Sequence, residues 1–275
     1  MNPWAETPDW VKYMTSSAGR VSLWAVAAFF AVGQPIQAQT AGERAHWADS
    51  VREAIDAAVS RADADAQQGA AALSQRLLAL SPADGLLLHY RGYALFQLAM
   101  SATRDSSVGK RRAWLDSADD ALRISAEALP LAETHALRAS IIGQIIGMSH
   151  NPFVAMRLGP WSGSEMKRAL ELGPNNPRVW LIRGMNTMHT PRSFGGGAAA
   201  AEEQLKKAAT LFASDTARAP RPTWGKADVL IVLGELHLEQ RRYAEARVDL
   251  EGALALQPEN KWVRDKLLPA AMRSP

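Results

Sequence analysis

Apolar residues recur at helical spacing along most of this chain, and the pattern is clearest near its end. In the stretch 227–260, ADVLIVLGELHLEQRRYAEARVDLEGALALQPEN, Leu230, Leu233, His237 and Leu238 fall on one helical face. Ala246, Leu250, Ala253 and Leu254 do the same for a second helix. The polar turn Gln240-Arg241-Arg242 parts the two helices, and Pro258 stops the second.

That ending recurs upstream. Ala169 and Pro174 stand in the register of Ala253 and Pro258, and the stretches 118–133 and 69–84 repeat the ending around Ala118, Leu122 and Pro130 and around Ala70, Leu77 and Pro82. The first helix of each following unit carries a small residue at one matched place: Gly92, Ala139, Gly184 and Gly234. A small side chain there lets the helix approach its neighbour, which explains a glycine inside a helix despite its propensity cost. Five units follow, at about 43–82, 83–130, 131–174, 175–222 and 223–258, with a terminal helix near 259–272. No such unit buries its apolar face alone, so the units must stack, and the polar residues from Glu259 to Lys266 suit an end cap.

Gly234, Tyr243, Ala246, Leu250, Ala253 and Pro258 stand at the spacings of the tetratricopeptide repeat, which this segment resembles closely. The resemblance implies an all-α fold, a right-handed superhelical solenoid of about five helix pairs with a C-terminal capping helix. Segments 133–147, 151–177 and 190–197 are similar to a group of secreted bacterial tetratricopeptide proteins without an assigned activity. Proteins of this superfamily generally bind along the concave face made by their A helices. Carried over residue by residue, that groove comprises His89, Tyr93, Phe96 and Gln97, then Gln144, then Arg178, Met185, Met188 and His189, and finally Glu235. Its lining is aromatic and Met-rich at one end and acidic at the other, which fits an extended peptide or an apolar ligand with a basic end. Packing of these residues against one another or against the terminal helix is the competing expectation.

The N-terminus reads differently. Val21 to Val32 runs apolar and uninterrupted by charge, follows Lys12 and Arg20, and ends at Gly33-Gln34-Pro35. A basic start, a short apolar core and small residues before a cut make a secretory signal peptide over 1–38, with cleavage after Ala38 and a true start possibly at Met14. About a dozen apolar residues fall short of the ~20 that span a bilayer, so no stable membrane span is expected once the signal is removed. Residues 39–275 would then form a single domain, periplasmic or secreted.

Composition narrows the chemistry. The absence of Cys among the 275 residues excludes disulfide scaffolds, thiol catalysis and Cys-based zinc sites. A net charge of +3 is no footprint for nucleic acid. The six His residues never stand as an i, i+4 pair and form no HExxH motif or His–carboxylate cluster along the sequence. Trp161-Ser162-Gly163-Ser164 lacks the first Gly of a nucleophile elbow. His237 is expected to be a satisfied core residue, and no catalytic residue, cofactor or metal is expected.

Departures from the repeat period point to further surfaces. From the small residue of helix A to its helix-B counterpart the last unit has 12 residues, but the three before it have 26, 23 and 17. The excess is expected at the A–B connections, around 101–112, 149–160 and 189–197, as loops on one edge that either bind or merely pad. Gly195-Gly196-Gly197 lacks the Lys-Ser/Thr of a phosphate loop, so a tight turn with Phe194 in the core is preferred over an anion site. Arg91, Arg138 and Arg183 each precede the small residue of helix A. Such a column either contacts an anion or, more commonly, pairs with acids on the adjacent helix. The expected function is that of an exported, non-catalytic scaffold holding a protein or peptide partner in the bacterial envelope. The alternative is a small-molecule binder, for a small apolar ligand, associated with a periplasmic solute uptake system.

Overall fold

The computed structural model describes residues 40–101, 108–149 and 151–272, all of them helical or connecting. The expected signal segment, its cut after Ala38 and the start at Met14 lie outside these residues. Among the described residues ten helices make five antiparallel pairs: α1 (Ala41–Ser60) with α2 (Ala64–Leu80), α3 (Gly85–Ser101) with α4 (Val108–Ala128), α5 (Ala132–Gly147) with α6 (Pro152–Leu172), α7 (Pro177–His189) with α8 (Ala198–Ala213), and α9 (Lys226–Glu239) with α10 (Tyr243–Leu256). A π-helical turn, Val263–Leu267, continues into α11 (Leu268–Met272) and covers α10. Each helix packs on the next in chain order, as a solenoid of helix pairs requires. Among the described residues no helix is long and apolar enough to cross a membrane.

Local chemistry sets the helix starts. Asp63 accepts from the Ala66 N–H, and Asp84 Oδ1 accepts from Leu86 and Leu87. Asn151 and Asn176 cap α6 and α7, each followed by a proline in the first turn, where its missing N–H does no harm.

The matched small residues do what their register implies, with helix B of the same pair as the close neighbour. A Cβ on Gly92 would stand 2.3 Å from Leu122 Cγ, and one on Gly184 or Gly234 2.7 Å from the branched end of Leu205 or Leu250. In the third pair the Ser162 hydroxyl donates to the Ala139 carbonyl across the same gap.

The extra residues between A and B helices are not all loops. In the third pair α6 begins at Pro152, so most of the stretch 149–160 lengthens a helix of 21 residues. In the second pair residues 108–112 likewise belong to α4. Among the described residues only 190–197 is a true inserted loop, with a 3-10 turn over Arg192–Phe194. Phe194 is not in the core: it is 81% exposed. The turn is made instead by glycines, with Gly195 in the left-handed region and Gly196 so close to the Thr190 carbonyl that a Cβ would overlap it.

A larger departure lies elsewhere. Three or four residues join α2 to α3, α4 to α5 and α6 to α7, but the 12 residues 214–225 join α8 to α9. This segment, here called the strap, runs back against α1, α3 and α7.

Candidate functional site

The strap occupies the inner face expected to be an open groove. The Tyr90 hydroxyl donates to the Pro220 carbonyl at 2.6 Å, and Arg52 of α1 reaches Thr223 Oγ1 at 3.5 Å. Trp224, buried, lies flat on Tyr93 with ring centroids 4.8 Å apart. Arg178, 1% exposed, donates to Asp215 at 2.6 Å and lies over the Phe212 ring. Gly225 turns the chain into α9 with positive φ, wedged between Phe212 and Leu181 where a Cβ would meet an atom at 2.7 Å. A repeat solenoid leaves its concave face for partners; here the chain lays its own extended segment across part of that face.

The strap covers Tyr93 and Arg178, and packing between helices covers other expected groove residues. His89, Tyr93, Phe96 and Arg178 are all buried rather than presented on an open surface. His89 Nδ1 contacts Thr134 Oγ1 at 2.9 Å, while burial, with the nearby Arg178 charge, lowers its pKa to about 3, so the imidazole is neutral. Gln97 donates to the Tyr93 hydroxyl at 2.7 Å. Glu235 is partly covered and accepts from Trp262 Nε1 at 3.1 Å, so residues just before the terminal turn shield the acidic end. Gln144, Met185 and Met188 are half-buried, and His189 is exposed.

The arginine column is used by the fold. Arg91 donates to the Ala71 carbonyl of α2 at 2.6 Å. Arg138 joins Asp119 at 2.9 Å and also Glu165, which His135 contacts at 2.7 Å. Arg183 lies over the Trp180 ring, 4.9 Å from its centroid, at the rim of a shallow cleft of about 450 Å³ between α6 and α7.

Two His–carboxylate contacts that no local motif announces thus form in three dimensions, at His135 and at His237. His237 is buried as expected, with Nδ1 2.7 Å from Asp249 and Nε2 3.3 Å from Glu202. Glu202, His237 and Glu245 bring three potential metal-ligand atoms within 4.8 Å of one another. Their charge is already met, because Arg242 bonds both glutamates and Lys206 bonds Glu202, which holds the Glu202 carboxyl down at about 2. A metal would have to displace those cations, so the cluster reads as an ion network tying α8, α9 and α10 together.

Beside the strap a cleft of about 410 Å³ remains open. Asp56 and Ser60 of α1 line it, with Tyr93, Trp224, Lys226 and Asp228 across from them. Burial raises the Asp228 pKa to about 6, and the neighbouring Asp56 charge pushes the same way. Asp56 is raised too, by burial first, against the pull of Arg52 at 2.7 Å. An aromatic wall with two carboxylates in reach is a setting for a cationic side chain. The sequence placed Tyr93 on an inner helix face, but it carried no sign that Asp56, Trp224 and Asp228 would meet it.

Geometrically, then, the molecule is a helical-repeat solenoid with a partly filled inner face. The SHNi-TPR family model matches residues 227–262, the last helix pair and the residues that follow it. The solved structure titled HusA haemophore from Porphyromonas gingivalis superposes with a TM-score of 0.57 at 21% identity, covering 73% of this chain and 96% of that one. TTC0263, a thermophilic TPR protein in Thermus thermophilus, gives a TM-score of 0.57 at 18% identity over 82% of this chain and 97% of its own. Among curated proteins no sequence matches. The chain thus has the fold of tetratricopeptide-repeat proteins, and its last helix pair matches a family model of that kind.

Proposed function

We propose that this protein is an exported, non-catalytic scaffold of the bacterial cell envelope that holds an extended peptide segment of a protein partner. The observation that carries this reading is the strap itself. A solenoid face that accepts Pro220 through a tyrosine hydroxyl and Trp224 through a flat ring stack already receives extended chain. The partner segment runs alongside the strap and places a lysine or arginine in the cleft between Asp56, Asp228 and the Tyr93–Trp224 pair. Gln144, Met185, Met188 and His189 continue the contact surface beyond the strap, where Met adapts to varied side chains.

Export rests on the charge and apolar pattern of residues 1–38 and is tested by N-terminal sequencing of the protein recovered from its host, with Gln39 expected first. Binding is tested by fluorescence polarisation against a library of extended peptides with and without basic residues. Lysine- or arginine-bearing peptides should bind, and Asp228→Asn should weaken them about tenfold, the order expected for a lost charge-assisted contact of roughly 1.5 kcal/mol. Equal binding of neutral peptides would contradict this reading.

The second reading is a small-molecule carrier. A cleft of this size falls within the range that holds compact ligands, and one structural neighbour is titled a haemophore. Native mass spectrometry of the purified protein separates the two: a discrete small added mass favours the carrier, and a bound peptide or protein favours the scaffold.

A further inference from the structure

The three longest A–B connections share a chemistry. At the start of α4 stands Val108, 67% exposed; the first turns of α6 carry Phe153 and Met156, 71% and 73% exposed; and the α7–α8 loop carries Phe194 at 81%. Exposed apolar residues scattered singly need no explanation. These four gather at matching ends of consecutive helix pairs. Arg111 at the start of α4 reaches Gln144 near the end of α5 at 3.5 Å. Gly143 of α5 in turn faces Asn186 near the end of α7. The junctions therefore stand side by side along one edge of the stack.

Their charge is predominantly positive. Residues 108–115, 151–164 and 189–201 contain Lys110, Arg111, Arg112, Arg157 and Arg192 but no carboxylate. In the sequence Asp105 stands beside Arg104 just before α4, and Asp116, Glu165 and Glu202 directly follow the three stretches; Asp116 holds Arg112 at 2.8 Å. The short turns differ in apolar content: the α1–α2 turn carries Arg61 and Asp63, the α9–α10 turn carries Arg241 and Arg242 flanked by Glu239 and Glu245, and neither holds a large apolar side chain. None of the four exposed apolar side chains and none of these cations lines the two clefts described above.

We propose that this edge docks on an anionic lipid surface. Val108, Phe153, Met156 and Phe194 enter the headgroup layer, and the arginines and Lys110 neutralise lipid phosphates. Separate protruding tips, each two-thirds exposed or more, suit a deformable headgroup layer, which needs no matching cavity on the other side. Apolar insertion combined with cations near the surface is what makes interfacial binding both stable and selective for negative lipid. This edge is independent of the strap cleft, so the two readings stand or fall separately.

The absence of native cysteine allows a direct test. Ser193→Cys, beside Phe194, and Val248→Cys on the exposed face of α10 are each introduced into the full chain and labelled with a polarity-sensitive dye. Because the dye reports its own surroundings, the apolar run near the N-terminus does not confuse the signal. Vesicles of phosphatidylcholine with about 30 mol% phosphatidylglycerol should shift the emission at 193 to the blue and leave 248 unchanged. Vesicles of pure phosphatidylcholine should give little shift. Arg157→Glu with Arg192→Glu should lower the apparent vesicle affinity at least about tenfold, and raised salt should do the same. Phe153→Ser with Phe194→Ser should weaken docking without loss of helical circular dichroism, since both rings are exposed. The proposal is overturned by an unshifted dye at 193 on anionic vesicles, or by equal shifts at 193 and 248. A shift that appears without vesicles and grows with protein concentration also overturns it, by making the edge a contact between copies of this chain.

Discussion

The junction between α6 and α7 and the junction between α8 and α9 solve the same problem in opposite ways. At the first, four residues suffice, Asn176 caps the incoming helix, and α5 packs directly on α7. At the second, 12 residues leave the period and spread over three earlier helices, so that Trp224 and Arg178 seal what would be open groove. The first junction only propagates the stack. The second ties the first repeat to the fourth and shapes the cleft where carboxylates and aromatic rings meet. Regular repeats therefore supply the framework, and the broken one supplies the individuality of the surface.

Removing the strap's anchor should have the largest effect. Trp224→Ala is expected to lower stability by about 3–5 kcal/mol, the range for loss of a buried aromatic side chain, read from urea denaturation. A loss below about 1 kcal/mol would mean that the strap only rests on the surface.

The regular junctions offer a pair of glycines for comparison. Gly184→Ala drives a Cβ against Leu205 and should destabilise by about 1–3 kcal/mol. Gly163→Ala meets nothing within 4 Å in the middle of α6 and should stabilise by about 0.5–1 kcal/mol through helix propensity. If both changes act alike, the close approach of α7 to α8 is wrong.

Asp228 gives the cleft a pH signature. Its pKa in the fold, about 6, lies above the ordinary carboxylate value because burial, and next the Asp56 charge, disfavour ionisation. The folded state therefore binds more protons than the unfolded state between about pH 4 and 6, and stability falls as pH rises through that window. Asp228→Asn should remove the decline, matching the parent below pH 4 and exceeding it by about 1–2 kcal/mol at pH 7.5, a shift of this size discounted for hydration of the cleft. Thermal melts across pH test this, and parallel profiles for the two proteins would contradict it. The smallest effect is expected at Phe194→Ser: an exposed ring should matter by less than about 0.5 kcal/mol.

Where the period held, the sequence was informative for physical reasons. Gly92, Gly184 and Gly234 mark a packing distance that only a hydrogen side chain allows, so they recur visibly. His237 is fixed by partners on two other helices, yet its place on the apolar face of α9 already marked it as interior. The misreadings have equally physical causes. Pro152, Gly159 and Pro160 look like loop residues, but proline is tolerated in the first turn of α6, and Pro160 sits inside the helix without ending it. Phe194 looked like core because large apolar residues usually are, whereas a glycine turn whose N–H groups donate to the Arg192, Pro191 and Thr187 carbonyls leaves the ring outside. Counting residues from helix A to helix B could not reveal the strap, because its insertion lies between B and the next A. The available signal was a missing one: no Ala–Pro ending closes the fourth unit, and Pro220, Pro222, Trp224 and Gly225 follow where it should be. Asp56 and Tyr93 are far in sequence from each other and from the neighbours Trp224 and Asp228, since long-range closure of the stack brings the three segments together.

The account turns on the strap lying against the inner face, and a double-mutant cycle between Tyr93 and Trp224 tests that most directly. Tyr93→Leu, Trp224→Leu and the combined variant would be compared by urea denaturation. A flat ring stack with centroids 4.8 Å apart predicts a coupling energy of about 0.5–1.5 kcal/mol. Losses that simply add, to within about 0.3 kcal/mol, would place the strap away from α3 and reopen the inner face as an unobstructed groove.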